Sequence, residues 1–177
     1  PFERIFPYYM LSGFLLLSVL FINIFRMKDL PNPVKIFFQS VIVLIFIIHT
    51  AGIIARWYIS GHAPWSNGYE SVVYVAWAAM FAGLLFGKRY PMVLGTASFL
   101  AGISLFVAHL SWMNPEITNL VPVLKSYWLT IHVSVITSSY GFLGLSAFLG
   151  ILVLILIIIR RSSNEQNVNI IISQLTN

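Results

Sequence analysis

Five apolar runs, roughly 7–25, 34–59, 71–87, 91–113 and 133–159, are separated by short polar segments. A helix needs ~20 residues to cross a hydrocarbon core of ~30 Å, and each run is about that long, the third being the shortest. The pattern predicts an all-α, polytopic membrane protein with about five transmembrane helices. Charge fixes the expected orientation. Arg26, Lys28 and Lys35 flank the first turn, Lys88 and Arg89 form the third, and Arg160 and Arg161 follow the last run. Threading the runs in order puts these seven on one side and leaves Arg4, Arg56 and Lys125 on the other. The positive-inside rule then makes the first side cytoplasmic, with the N-terminus outside and the C-terminus inside.

The two outer loops expected from this topology, 60–70 and 114–131, are rich in Trp, Tyr, Pro and Asn. Asn67-Gly68 favours a tight turn, and 120–130 reads as a short interfacial helix. The cytoplasmic tail, 160–177, opens polar and then carries an Ile cluster at 170–172 that suits the start of another interfacial helix.

Composition sharpens the class. The chain is 59% hydrophobic and 8% charged, with a mean hydropathy of +0.89. A soluble domain carries roughly a quarter charged residues, which excludes a water-solvated globule. The absence of cysteine excludes disulfides, thiolate metal sites and thiol redox chemistry. The pI near 9.7 comes from few basic residues, most beside apolar runs, so topology explains it and no nucleic-acid partner is expected. The start, PFERIF, lacks the basic region and cleavage site of a signal peptide. With no initial Met, the chain reads as a piece of something longer.

Residues 56–77, RWYISGHAPWSNGYESVVYVAW, hold the densest set of functional groups. The expected topology puts all four histidines toward the outer side. His62 falls in the first outer loop and His132 at the start of the last helix. His109 falls ~6 Å and His49 ~15 Å below the outer ends of their helices. Polar side chains within a bilayer mark a pathway, a ligand or a packed partner. The structural alternatives are equally plain: His49 and His109 as packing residues, His132 in the headgroup region, and Trp57, Trp65, Trp112 and Trp128 as an interfacial belt. Trp77 lies deeper than such a belt. Glu70 has the choice of pairing with Arg56 or capping the third helix.

Imidazoles grouped on one leaflet among planar aromatics suit a flat, apolar, metal-bearing ligand, and haem b is the leading candidate. Zinc fits worse, because there is no HExxH and successive histidines are 13, 47 and 23 residues apart. A b-type cytochrome subunit using His49 and His109 is the alternative from another class, and a haemless structural or transport protein is a third.

Two stretches resemble a known family. Residues 56–77 and LVPVLKSYWLTIHVSVITSSYGFLG, 120–144, resemble separate signature sites of the CcsA (ResC) family of system II cytochrome c biogenesis proteins. The similarity covers roughly 43–150. It implies a haem lyase of the bacterial inner (cytoplasmic) membrane that carries haem to the outer face and presents it to the CxxCH thiols of apocytochrome c. The remaining partner it implies is a CcsB (ResB)-like membrane protein, separate or fused. The His of the IHV run corresponds to a haem ligand of that family, so the resemblance makes His132 an axial ligand of the iron. Trp65, Trp112 and Trp128 are candidate platform walls, with His62, His109 and His49 as further haem contacts. Asn67 and Glu70 are candidate orienting residues for a nearby imidazole. The family's tryptophan-rich WWD segment, its second outer-face His and a later transmembrane His are absent from these residues, so activity from this segment alone is not expected.

Overall fold

Punctuation residues set the helix ends that hydropathy leaves vague. The computed structural model describes residues 2–26, 30–87, 90–110, 113, 115–117, 126–160 and 165–176. A 3-10 turn, Phe2–Ile5, leads into α1, Phe6–Arg26. Helix α2, Asn32–Ser60, carries Pro33 in its first turn. It stops at Gly61, whose φ of 69° is the left-handed conformation that glycine adopts without a Cβ clash. The Gly61 N–H closes the end on Trp57 O at 3.0 Å. Helix α3, Gly68–Gly87, and α4, Pro91–His109, follow. Pro91 occupies a first-turn position of α4, where a missing N–H costs nothing. Then come α5, Tyr127–Ile159, and α6, Glu165–Thr176.

The architecture is all-helical, and five helices are long and apolar enough to cross a membrane. Three ends differ by three residues or more from the hydropathy reading. Helix α3 begins at Gly68 instead of 71, because the turn residues ahead of it cap it. Helix α4 ends at His109 instead of 113, where Leu110 turns extended and its N–H bonds to Phe106 and Val107 O. Helix α5 begins at Tyr127 instead of 133. Thr130 N–H bonds to Ser126 O at 3.0 Å, so the aromatic residues expected in a separate interfacial helix, as far as they are described, form the first turn of α5. Expectations resting on Lys28, Lys88, Arg89, Trp112, Arg161, Lys125 and the rest of 118–125 lie outside the described residues.

Helix α4 is the centre of the bundle, with residues 92–98 buried in succession. It packs most closely on α1 and α3, while α5 docks mainly on α3. Lipid offers apolar side chains no gain from leaving it, so helices associate through close packing and interhelical hydrogen bonds. Small residues supply both here. A Cβ on Gly13 of α1 would lie 2.5 Å from Phe99 N and 2.8 Å from Gly95 O of α4. One on Gly141 of α5 would lie 2.8 Å from both Ala79 N and Val75 O of α3. Ser98 Oγ donates to Tyr9 O across the α1–α4 seam at 2.9 Å and lies 3.1 Å from Ser12 Oγ.

Alternation of five helices gives the molecule two ends. One, the histidine end, gathers the start of α1, the 61–67 loop, residues 115–117 and the first turns of α5, joined by contacts described below. The other, the basic end, holds Arg26, Lys35 and Arg160. Amphipathic α6 crosses beneath it. Val168 is fully buried, Ile171, Ile172 and Leu175 pack near Ile24, Met92, Leu152 and Leu156, and Glu165 and Gln166 face out.

Candidate functional site

The 61–67 loop is held by reciprocal bonds around one carboxylate. Asn67 Oδ1 accepts the Glu70 N–H at 2.8 Å, capping α3. Glu70 Oε2 reaches back to accept from Ser66 N–H at 2.8 Å and Ser66 Oγ at 2.6 Å, a close relative of the capping box. Its other oxygen, Oε1, accepts from Arg56 Nε of α2 at 2.8 Å. Arg56 then donates from Nη1 to Pro115 O and from Nη2 to Glu116 O, at 2.9 and 3.3 Å. Its guanidinium also lies 5.0 Å from the centre of the Tyr69 ring. One arginine thus joins α2, α3 and both connecting segments of this end. Both structural alternatives for Glu70, pairing with Arg56 and capping α3, are realised together. The described bonds of Glu70 and Asn67 go to Arg56, Ser66 and the start of α3.

Sequence reasoning passed over a second polar group beside this one. Tyr69 Oη donates to Glu3 Oε2 at 2.6 Å, and His109 Nδ1 lies 3.9 Å from Glu3 Oε1. The available signal was Glu3 itself, one of only five acidic residues, standing at the head of an apolar run.

Of the tryptophans expected as an interfacial belt, Trp57 and Trp65 join a stack built on α3, while Trp128 stands apart on α5. On α3, Tyr74, Trp77 and Phe81 follow at spacings of three and four and so share one face. Their rings lie 5.7 and 5.4 Å apart, within 10° of parallel. Phe46 of α2 joins at Trp77, and Trp65 of the loop joins at Tyr74, 4.8 Å away, with Trp57 edge-on to Trp65. Trp77 Nε1–H donates to Thr50 Oγ1 at 2.9 Å, which accounts for a tryptophan so deep in the bundle. Trp65 Nε1–H donates to Thr130 O at 3.2 Å and ties the loop to α5, two residues before His132. Trp65→Phe keeps the ring and loses that bond. It is expected to lower the unfolding free energy by about 0.5–1.5 kcal/mol, read as a shifted denaturation midpoint in detergent.

The four histidines have four different settings. His62 is half-buried in the loop, its Nδ1 3.2 Å from Ala63 O. His109, the last residue of α4, packs on Phe6 with ring centres 5.3 Å apart. His49 is 1% exposed, eleven residues before the end of α2, with Tyr9 edge-on at 5.9 Å. Its ring lies within reach of the Val73 backbone without forming a well-aligned hydrogen bond, and the Tyr9 hydroxyl is unbonded. His132 is exposed in the second turn of α5, not at the helix start. Buried Thr137, Gly141 and Leu145 mark the face of α5 turned inward. His132 lies half a turn round from Gly141, on the open face that also carries Trp128, 78% exposed, and Val135. Trp112 is outside the described residues. Among the described residues no three His, Asp or Glu come together as a metal cluster.

Apolar spanning helices with imidazoles and stacked aromatics at one end define a multi-pass membrane protein built around that end. Residues 65–175 match the family described as "Cytochrome C assembly protein", and the chain belongs to that family. It is 47% identical to Protein NrfI of Wolinella succinogenes over 90% of its own length and 18% of that protein. It is 39% identical to the cytochrome c biogenesis protein CcsA of Prochlorococcus marinus (strain MIT 9303), over 64% of the chain and 37% of CcsA. With CcsA of Synechococcus sp. (strain CC9902) the identity is 32%, over 88% of the chain and 52% of the relative. The chain therefore spans about half or less of these relatives, and the CcsA-type resemblance read from the two signature stretches holds.

Proposed function

We propose that this chain is the haem-handling front part of a cytochrome c haem lyase, with His132 as an axial ligand of haem b. The carrying observation is the position of His132: an exposed imidazole one turn from Trp128, on the face of α5 that the bundle leaves open. Haem is the substrate. When bound it brings two vinyl groups, and addition of a thiol S–H across each forms a thioether with no external oxidant. The chain's own work is positional. A neutral His132 holds the iron, Trp128 supplies a flat apolar wall against water, and α5 is rigid because Gly141 seats it against α3. Trp65 steadies the start of α5 through Thr130. In this reading the histidine end faces the periplasm of a bacterial inner membrane. The second axial ligand, the CcsB-like partner and apocytochrome c meet the open face from outside this chain.

The test is the absorption spectrum of the purified full-length protein that carries this segment. His132→Gly is expected to lose or shift the reduced α-band, and imidazole in the buffer is expected to restore it. An unchanged spectrum in His132→Gly retires His132 as a ligand.

A further inference from the structure

The basic end holds a cavity of about 240 Å³ between α6, the end of α1 and the start of α4. Its polar lining includes Asn23 of α1, Lys35 of α2, and Asn167 and Gln174 of α6. Ile24, Leu30 and Leu175 supply apolar lining. Lys35 is half-buried, yet among the described residues no carboxylate pairs with it and no acceptor bonds its amine. Glu3, Glu70 and Glu116 belong to the histidine end, and Glu165 faces out. Even with Asp29 counted, the sequence gives this end seven basic residues against two acidic ones. The side-chain amides of Asn23, Asn167 and Gln174 likewise have no partner among the described residues. Unlike the Tyr9 hydroxyl, the polar atoms of Asn23, Lys35 and Asn167 are not sealed off. A lysine without a counter-charge, three amides able to donate N–H and an apolar lining together fit an anionic oxygen group attached to hydrocarbon. Helix α4 begins at the cavity with Pro91 and Met92, and the positive end of its dipole favours the same charge. Basic pockets between spanning helices at a membrane surface hold phospholipid headgroups in this way. A free phosphate carries the same oxygens but leaves the apolar lining unused.

We propose that this cavity seats the phosphate of an anionic phospholipid, with Lys35 as its ion-pair partner and Asn23, Asn167 and Gln174 as hydrogen-bond donors. The site lies at the opposite end of the bundle from His132 and is independent of the haem reading.

The experiment titrates the full-length protein, in a neutral detergent, with dioleoylphosphatidylglycerol or dioleoylphosphatidylcholine and counts the lipids retained by native mass spectrometry. Native protein is expected to hold one phosphatidylglycerol about tenfold more tightly than phosphatidylcholine, the difference that one charge-assisted hydrogen bond makes. Lys35→Gln is expected to remove that preference and Lys35→Arg to keep it. Arg26→Gln, which removes an exposed cation of the same end outside the cavity, is expected to leave it unchanged. Equal retention of the two lipids by native protein overturns the proposal, even where Lys35→Gln fails to fold. So does a preference that survives Lys35→Gln, or an equal loss in Arg26→Gln, the mark of a general surface attraction. Displacement of phosphatidylglycerol by millimolar inorganic phosphate overturns the lipid assignment in favour of the free ion.

Discussion

Arg56→Leu is expected to cost about 3–5 kcal/mol, the range seen when one partner of a buried ion pair is removed. The Glu70 side chain is 1% exposed and that of Arg56 14%, so water does not reach the stranded carboxylate to replace the guanidinium. The variant also loses the bonds to Pro115 and Glu116 O, which hold the second connecting segment. A double-mutant cycle separates the effects. Glu70→Gln in the Arg56→Leu background removes the uncompensated charge and is expected to recover part of the loss, giving a large favourable coupling. Denaturation of the four proteins in one detergent reads it. A loss below about 1 kcal/mol, the size of an exposed pair, would mean that water solvates Glu70.

Gly13→Leu should be still more disruptive. Overpacking a core typically costs about 1–3 kcal/mol because neighbouring side chains can shift rotamer. At Gly13 the obstructing atoms are Phe99 N and Gly95 O, backbone of the central helix, and they cannot rotate aside. The expected outcome is separation of α1 from α4, with rupture of the Ser98 bond to Tyr9 O and a severe drop in folded protein. Gly150→Leu is the control: nothing lies within 4 Å of its added Cβ. Removing a mid-helix glycine there should be neutral or slightly stabilising, by up to about 1 kcal/mol. Size-exclusion profiles and folded yield distinguish the two. Equal behaviour would contradict the α1–α4 seam.

The alternation of apolar runs gave away five spanning helices because each run had to be long enough for a bilayer, a local requirement written residue by residue. Helix ends were less legible. Residues 127–130 read as part of a separate interfacial helix, whereas backbone hydrogen bonds make them the first turn of α5. The cap at Asn67 and the αL stop at Gly61 were accessible from their neighbours in sequence. The bond from Trp65 to Thr130 was not, since those residues are 65 positions apart. The pairing of Glu3 with Tyr69 went unnoticed for the same reason, the two being 66 positions apart.

The sequence by itself determined the helix count, the family, and the gathering of imidazoles and tryptophans toward one end, because threading alternate helices fixes which end a residue occupies. Only the tertiary structure decided which polar groups pair, that His132 lies on the open face of α5, and that His49 is fully enclosed. Those outcomes depend on how small residues let the helices approach and rotate against one another, and that rotation is a property of the packed bundle.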